Sequence, residues 1–119
     1  MYDLPKDLDF QEWIGKRLDL VSFGKYTIHF NFDGNLKITI ESLFSYQRAG
    51  MASAPAPIKV TVARSDLMRL LGHTIRNVSD EGENTLKIEF DNGDTLRFYD
   101  PHEPYEAYLI EYAGRLIVV

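Results

Sequence analysis
The chain has 119 residues, with 45% hydrophobic and 26% charged side chains, seven Phe, seven Tyr, one Trp and no Cys. That is enough apolar material for a core and too much for disorder, while the lack of cysteine excludes disulfides and thiolate metal sites. The net charge of −5 is uneven: residues 1–71 carry nine Lys/Arg against eight Asp/Glu and residues 72–119 carry four against ten, which disfavours direct nucleic-acid binding.

The N-terminus, Met1-Tyr2-Asp3-Leu4-Pro5-Lys6-Asp7, lacks the basic stretch and apolar run of a signal peptide, and no segment reaches membrane-spanning length. The expectation is a soluble cytoplasmic protein without membrane contact. From about Asp7, Leu8, Phe10, Trp13 and Ile14 before Gly15 predict a short helix. Tyr26, Ile28, Phe30 and Phe32 then alternate with polar residues, as do Leu36, Ile38 and Ile40, and Asp33-Gly34 between them signals a tight hairpin. Phe44 to Arg48 and Ile58 to Ala63 predict a second hairpin around the uncharged loop Ala49 to Pro57.

The same order then recurs. Trp13-Ile14-Gly15-x-x-Leu18-x-x-Val21-Ser22 is echoed by Leu70-Leu71-Gly72-x-x-Ile75-x-x-Val78-Ser79, and Ile28-x-x-x-Phe32-Asp33 by Leu86-x-x-x-Phe90-Asp91. The offset is 57 at the glycines, 58 at the phenylalanines, and 60 if Leu36-x-Ile38 is matched to Leu96-x-Phe98. Ser65 or Asp66 can cap a second helix over Leu67, Leu70 and Leu71. The strands Leu86 to Asp91, Leu96 to Phe98, Tyr105 to Tyr112 and Arg115 to Val119 follow. The reading is an α+β fold in one domain: two tandem helix-plus-four-strand repeats, about 5–63 and 64–119, related by pseudo-twofold symmetry and mostly antiparallel. Whether the strands make a continuous sheet, a sandwich or a barrel stays open.

No cofactor, metal or catalytic motif stands out. His29, His73 and His102 have no ligand spacing, Asp91-Asn92-Gly93-Asp94 is too short for a calcium loop, and the glycines are isolated punctuation rather than a phosphate loop. The densest polar cluster is Asp100-Pro101-His102-Glu103-Pro104-Tyr105-Glu106. Exposed tyrosine beside carboxylates suits a protein-binding surface, so Asp94, Glu103, Tyr105 and Glu106 are the candidate contacts to a basic partner. Two other readings compete. One is a ligand-binding or enzymatic cleft between the repeats, near His102 and Glu106 or His29; the other is a homodimer in which Leu116 to Val119 pairs across a twofold axis.

Leu70-Leu71-Gly72-x-Thr74-Ile75, Leu86-x-Ile88-x-Phe90-x-x-Gly93-x-x-Leu96 and Pro104-Tyr105-Glu106-Ala107-Tyr108 resemble a family of small bacterial proteins of unknown function with L-G-x-T-V, F-x-D-G-x-x-L and Y-E-A-W motifs. Tyr108 stands where that family carries Trp. The resemblance implies bacterial origin and a compact domain, and brings no established activity. In size and charge the chain is also similar to immunity proteins, which would make the basic partner a toxin domain. If a specific function exists, it is expected where the halves differ, in the 49–57 and 100–106 loops.

Overall fold
A computed structural model describes residues 2–60, 65–102 and 106–119. Among these residues ten strands form two five-stranded antiparallel sheets. In chain order they are β1 (Leu18–Phe23), β2 (Ile28–Phe32), β3 (Leu36–Ile40), β4 (Leu43–Gln47) and β5 (Ile58–Lys59), then β6 (Ile75–Asp80), β7 (Leu86–Phe90), β8 (Thr95–Tyr99), β9 (Tyr108–Tyr112) and β10 (Arg115–Val118). One sheet has the order β1-β2-β3-β9-β10 and the other β5-β4-β8-β7-β6.

The expectation of an α+β fold is overturned. Among the described residues strand makes up 45% and helix 8%, the helix confined to 3-10 turns at Phe10–Trp13 and Ser65–Leu70. Four and six residues are too few to close several i to i+4 bonds, so Gly15 and Gly72 end short turns rather than helices. Each turn still plugs the core: Trp13, Leu67 and Leu70 are fully buried. The helix-plus-four-strand unit also omits a strand from each half. β1 and β6 carry the same burial pattern, and each has a bulge near its start, between Leu18 and Leu20 and between Ile75 and Asn77.

The second hairpin of each half joins the sheet of the other half. β4 pairs with β8, and β9 pairs with β3. Where the halves meet, the bonds are reciprocal. The Gly15 N–H donates to the Ile75 carbonyl at 2.7 Å and the Gly72 N–H to the Leu18 carbonyl at 2.8 Å. The Ile75 N–H reaches the Lys16 carbonyl at 2.8 Å, and the Leu18 N–H reaches that of His73 at 2.9 Å. Between the sheets, Phe32 stacks on Phe90 with centroids 6.2 Å apart, and Phe30 meets Phe98 at 5.6 Å. One buried cluster therefore draws on both sheets, which is how two half-wet antiparallel sheets hide their apolar faces.

The pairings also correct the offset. Phe30 faces Ile38 and Ile88 faces Leu96, so Ile38 corresponds to Leu96 at an offset of 58, and Leu36 corresponds to Asp94. Residues 61–63, the end of the expected Ile58 to Ala63 strand, lie outside the described residues, as does Tyr105 at the start of the expected Tyr105 to Tyr112 strand.

Candidate functional site
A concave, polar surface lies on the outer face of the second sheet, where the 48–57 loop crosses it. Alternation along β4 and β8 sends Ser45, Gln47, Arg97 and Tyr99 to this face, with Ser45 opposite Arg97 and Gln47 opposite Thr95. Lys87 of β7 lies opposite Arg97 on its other side. The Arg97 guanidinium donates from Nε to Glu81 Oε1 at 2.8 Å and from Nη1 to Gln47 Oε1 at 2.7 Å. Ser45 Oγ and the Tyr99 hydroxyl are 2.8 Å apart.

The loop is held down at its start. The Ala49 N–H donates to Asp94 Oδ1 at 2.8 Å, and Gln47 Nε2 donates to the Met51 carbonyl at 3.0 Å. Between the loop and the β6–β7 turn lies a concavity of about 520 Å³ whose walls include Ala54, Glu81, Glu83, Thr85, Arg97 and Tyr99. The corresponding connection in the other half is the tight turn Ala113-Gly114 between β9 and β10, so only one half has a loop to roof such a concavity.

The rim of this site is acidic. Glu81 and Glu83 are exposed on the β6–β7 turn, and among the described residues Arg97 and Lys87 neutralise only Glu81 of the two. Asn84, at φ +60°, ties the turn to its surroundings. Its amide donates to Asp3 at 3.1 Å and Asp100 at 3.2 Å, its side-chain oxygen accepts the Leu4 N–H at 2.9 Å, and its backbone carbonyl accepts the Tyr108 hydroxyl at 2.6 Å. Burial pushes the Tyr108 hydroxyl pKa up, and the charges of Asp80 and Asp100 push it further. Glu41 and Glu106 form a carboxyl pair: burial first, then the charge and hydrogen bond of Glu106, hold the Glu41 carboxyl above the usual carboxylate range.

The four expected contact residues do not converge. Asp94 is buried at 6% exposure, its carboxylate taken up by the Tyr46 hydroxyl, the Ala49 N–H and the Asn92 amide. Glu106 is half-buried beside Glu41, and Glu103 and Tyr105 lie outside the described residues. The three histidines also go separate ways. His29 places its ring nitrogens 3.1 Å from Thr27 Oγ1 and 3.0 Å from Thr39 Oγ1, with burial and then Lys37 lowering its pKa. His73 meets Asp91 at 2.8 Å, and exposed His102 lies 3.6 Å from Asp100. Among the described residues no three His, Asp or Glu are placed to share a metal ion.

Sequence reasoning missed Glu81, Glu83 and Arg97. Strand alternation could have put Arg97 and Tyr99 on a polar face; that the 49–57 loop covers the same face follows from β4–β8 pairing, which joins residues about fifty positions apart. No helix is long and apolar enough to cross a membrane among the described residues. The model of a family of unknown function (DUF6188) matches residues 10–119, from the first 3-10 turn onward. No curated protein and no solved structure matches the chain.

Proposed function
The chain belongs to the DUF6188 family of unknown function, and from its geometry we propose that it is a non-enzymatic protein-binding module that takes a basic segment of its partner at the concavity beneath the 49–57 loop. The observation that carries this reading is the lining: Glu81 and Glu83 with Tyr99 and Thr85 around a hollow of about 520 Å³. Among the described residues, exposed Glu83 has no hydrogen-bond or ion-pair partner, so its charge is available to an incoming Lys or Arg. Tyr99 supplies an aromatic face and hydroxyl of the kind interfaces favour. The surrounding negative field of the second half would speed the encounter and select basic surfaces. An immunity-type role, with a toxin domain as the basic partner, is the specific form of this reading that the small size and net charge of −5 suit.

The test is a comparison of wild type with a Glu81→Lys/Glu83→Lys variant as immobilised baits. Wild type is expected to retain a basic protein that high salt releases and that the variant does not hold. Equal retention by both baits, or retention indifferent to salt, would overturn the reading.

A further inference from the structure
A sheet edge is a row of unpaired N–H and C=O groups, and proteins blunt such edges with bulges, charges, proline or brevity. Among the described residues, three of the four sheet edges are blunted. β1 has its bulge between Leu18 and Leu20, flanked by the Arg17–Asp19 ion pair at 2.6 Å. β6 has the matching bulge between Ile75 and Asn77, with Arg76 exposed. β5 is only two residues long, follows Pro57 and exposes Lys59. β10 has none of these devices after its first residue: it runs Arg115-Leu116-Ile117-Val118 in regular register with β9, and Arg115 turns back to Asp7 at 3.4 Å.

The direction of the free groups on β10 can be worked out. Val119 and Tyr108 exchange backbone bonds, N–H to carbonyl at 2.9 Å one way and 3.4 Å the other, so they are a hydrogen-bonded pair. Alternation makes Ile117–Ile110 another and leaves Val118–Leu109 and Leu116–Glu111 as non-bonded pairs. The N–H and C=O of Leu116 and Val118 therefore point away from the sheet, and among the described residues no strand takes them. Leu116 is also 60% exposed, beside Leu109 and Val118 on the outer face.

We infer that β10 is a homodimer interface, pairing antiparallel with β10 of a second copy about a twofold axis at Ile117. In that register Leu116 lies opposite Val118 of the second copy, all four outward groups of each strand find partners, and the apolar Leu116 and Val118 side chains meet across the axis. The occupant is a second copy because this register is self-complementary. Because the other edges are blunted, association closes at two chains rather than running on into a fibre. The interface is independent of the concavity beneath the 49–57 loop.

Light scattering on the purified full chain tests this. Wild type is expected at twice the 13.7 kDa chain mass. Val118→Pro deletes an N–H that the monomer does not use, and edge proline is tolerated where the N–H faces solvent; Leu116→Lys puts charge on a side chain already exposed. Both are expected to be monomers with unchanged circular dichroism. Hydrogen exchange is expected to show the Leu116 and Val118 amides protected in wild type and unprotected in Leu116→Lys, a readout that stands even if Val118→Pro fails to fold. A monomeric wild type, a dimer that survives Leu116→Lys, or unprotected Leu116 and Val118 amides would each overturn the inference, including the case in which β10 accepts a strand of another protein instead.

Discussion

Asp94 stands in the second half where Leu36 stands in the first, and both are buried, at 6% and 1% exposure. Tyr46 faces Leu96 as Ile110 faces Ile38, so an apolar Leu36 and Ile110 in one half become Asp94 and Tyr46 in the other. The polar version appears in the half that carries the long loop, and Asp94 accepts the Ala49 N–H that starts it. Burial opposes ionisation of Asp94, yet the Tyr46 hydroxyl, the Ala49 N–H and the Asn92 amide together hold its carboxyl below the usual carboxylate range. A depressed folded pKa contributes stability that is present above the ordinary Asp value and is lost as pH falls through the folded one. Asp94→Leu is therefore expected to destabilise by about 1–3 kcal/mol, because the buried Tyr46 hydroxyl and the Ala49 N–H lose their acceptor. Its acid limb should be flatter than that of wild type. Adding Tyr46→Phe removes one orphaned donor, so the double variant should recover about 0.5 kcal/mol or more in a double-mutant cycle. Denaturant melts across acid pH check both; additive losses with an unchanged acid limb would mean that Asp94 is not the anchor.

At the scale of elements, the turns before β1 and β6 depend on Gly15 and Gly72, at φ +88° and +83°. A Cβ built at either meets nothing within 4 Å, so replacement by Ala tests backbone conformation alone. Each single substitution is expected to cost about 1–2 kcal/mol; a neutral outcome in thermal melts would show that the reciprocal bonds at Ile75 and Leu18 do not require the left-handed residue. These glycines were legible as stop signals, and β2, β3, β7 and β8 were legible from period-two alternation, while β4, β9 and β10 were expected only as members of a second hairpin in each half. β1 and β6 were not legible, because their bulges place the buried residues three apart: Leu18 and Val21, Ile75 and Val78. That spacing mimics a helix. Leu67, Leu70 and Leu71 mislead in the same way, since one 3-10 turn places i and i+3 together as well as an α-helix does. The concavity was illegible for a different reason. Arg97, Glu81 and Ala54 meet through strand pairing, and no local pattern encodes which hairpin joins which sheet.

For the whole molecule, that exchange of hairpins decides what can fold alone. If each half were a self-contained repeat, a chain cut between residues 63 and 64 would give two independent units. Here β3 finds its outer neighbour in β9 and β8 finds its outer neighbour in β4. A lone first half would leave one side of β3 and of β4 unpaired and expose Ile38, Ile40, Phe44 and Tyr46, all buried in the intact chain. It would also lose the stacking of Phe32 on Phe90 and the four reciprocal bonds around Gly15 and Gly72. At about 25 cal/mol per Å² of apolar surface, leaving several large side chains in water outweighs the few kcal/mol by which a domain this small is stable. Fragments 1–63 and 64–119 are each expected to lack dispersed amide resonances and a cooperative melt, and to regain both when mixed one to one. Because the concavity takes Ala54 from one fragment and Glu81, Arg97 and Tyr99 from the other, retention of a basic partner should return only in the mixture. A cooperative melt in either fragment alone would show that the crossed pairing of β3–β9 and β4–β8 is not what holds the halves together.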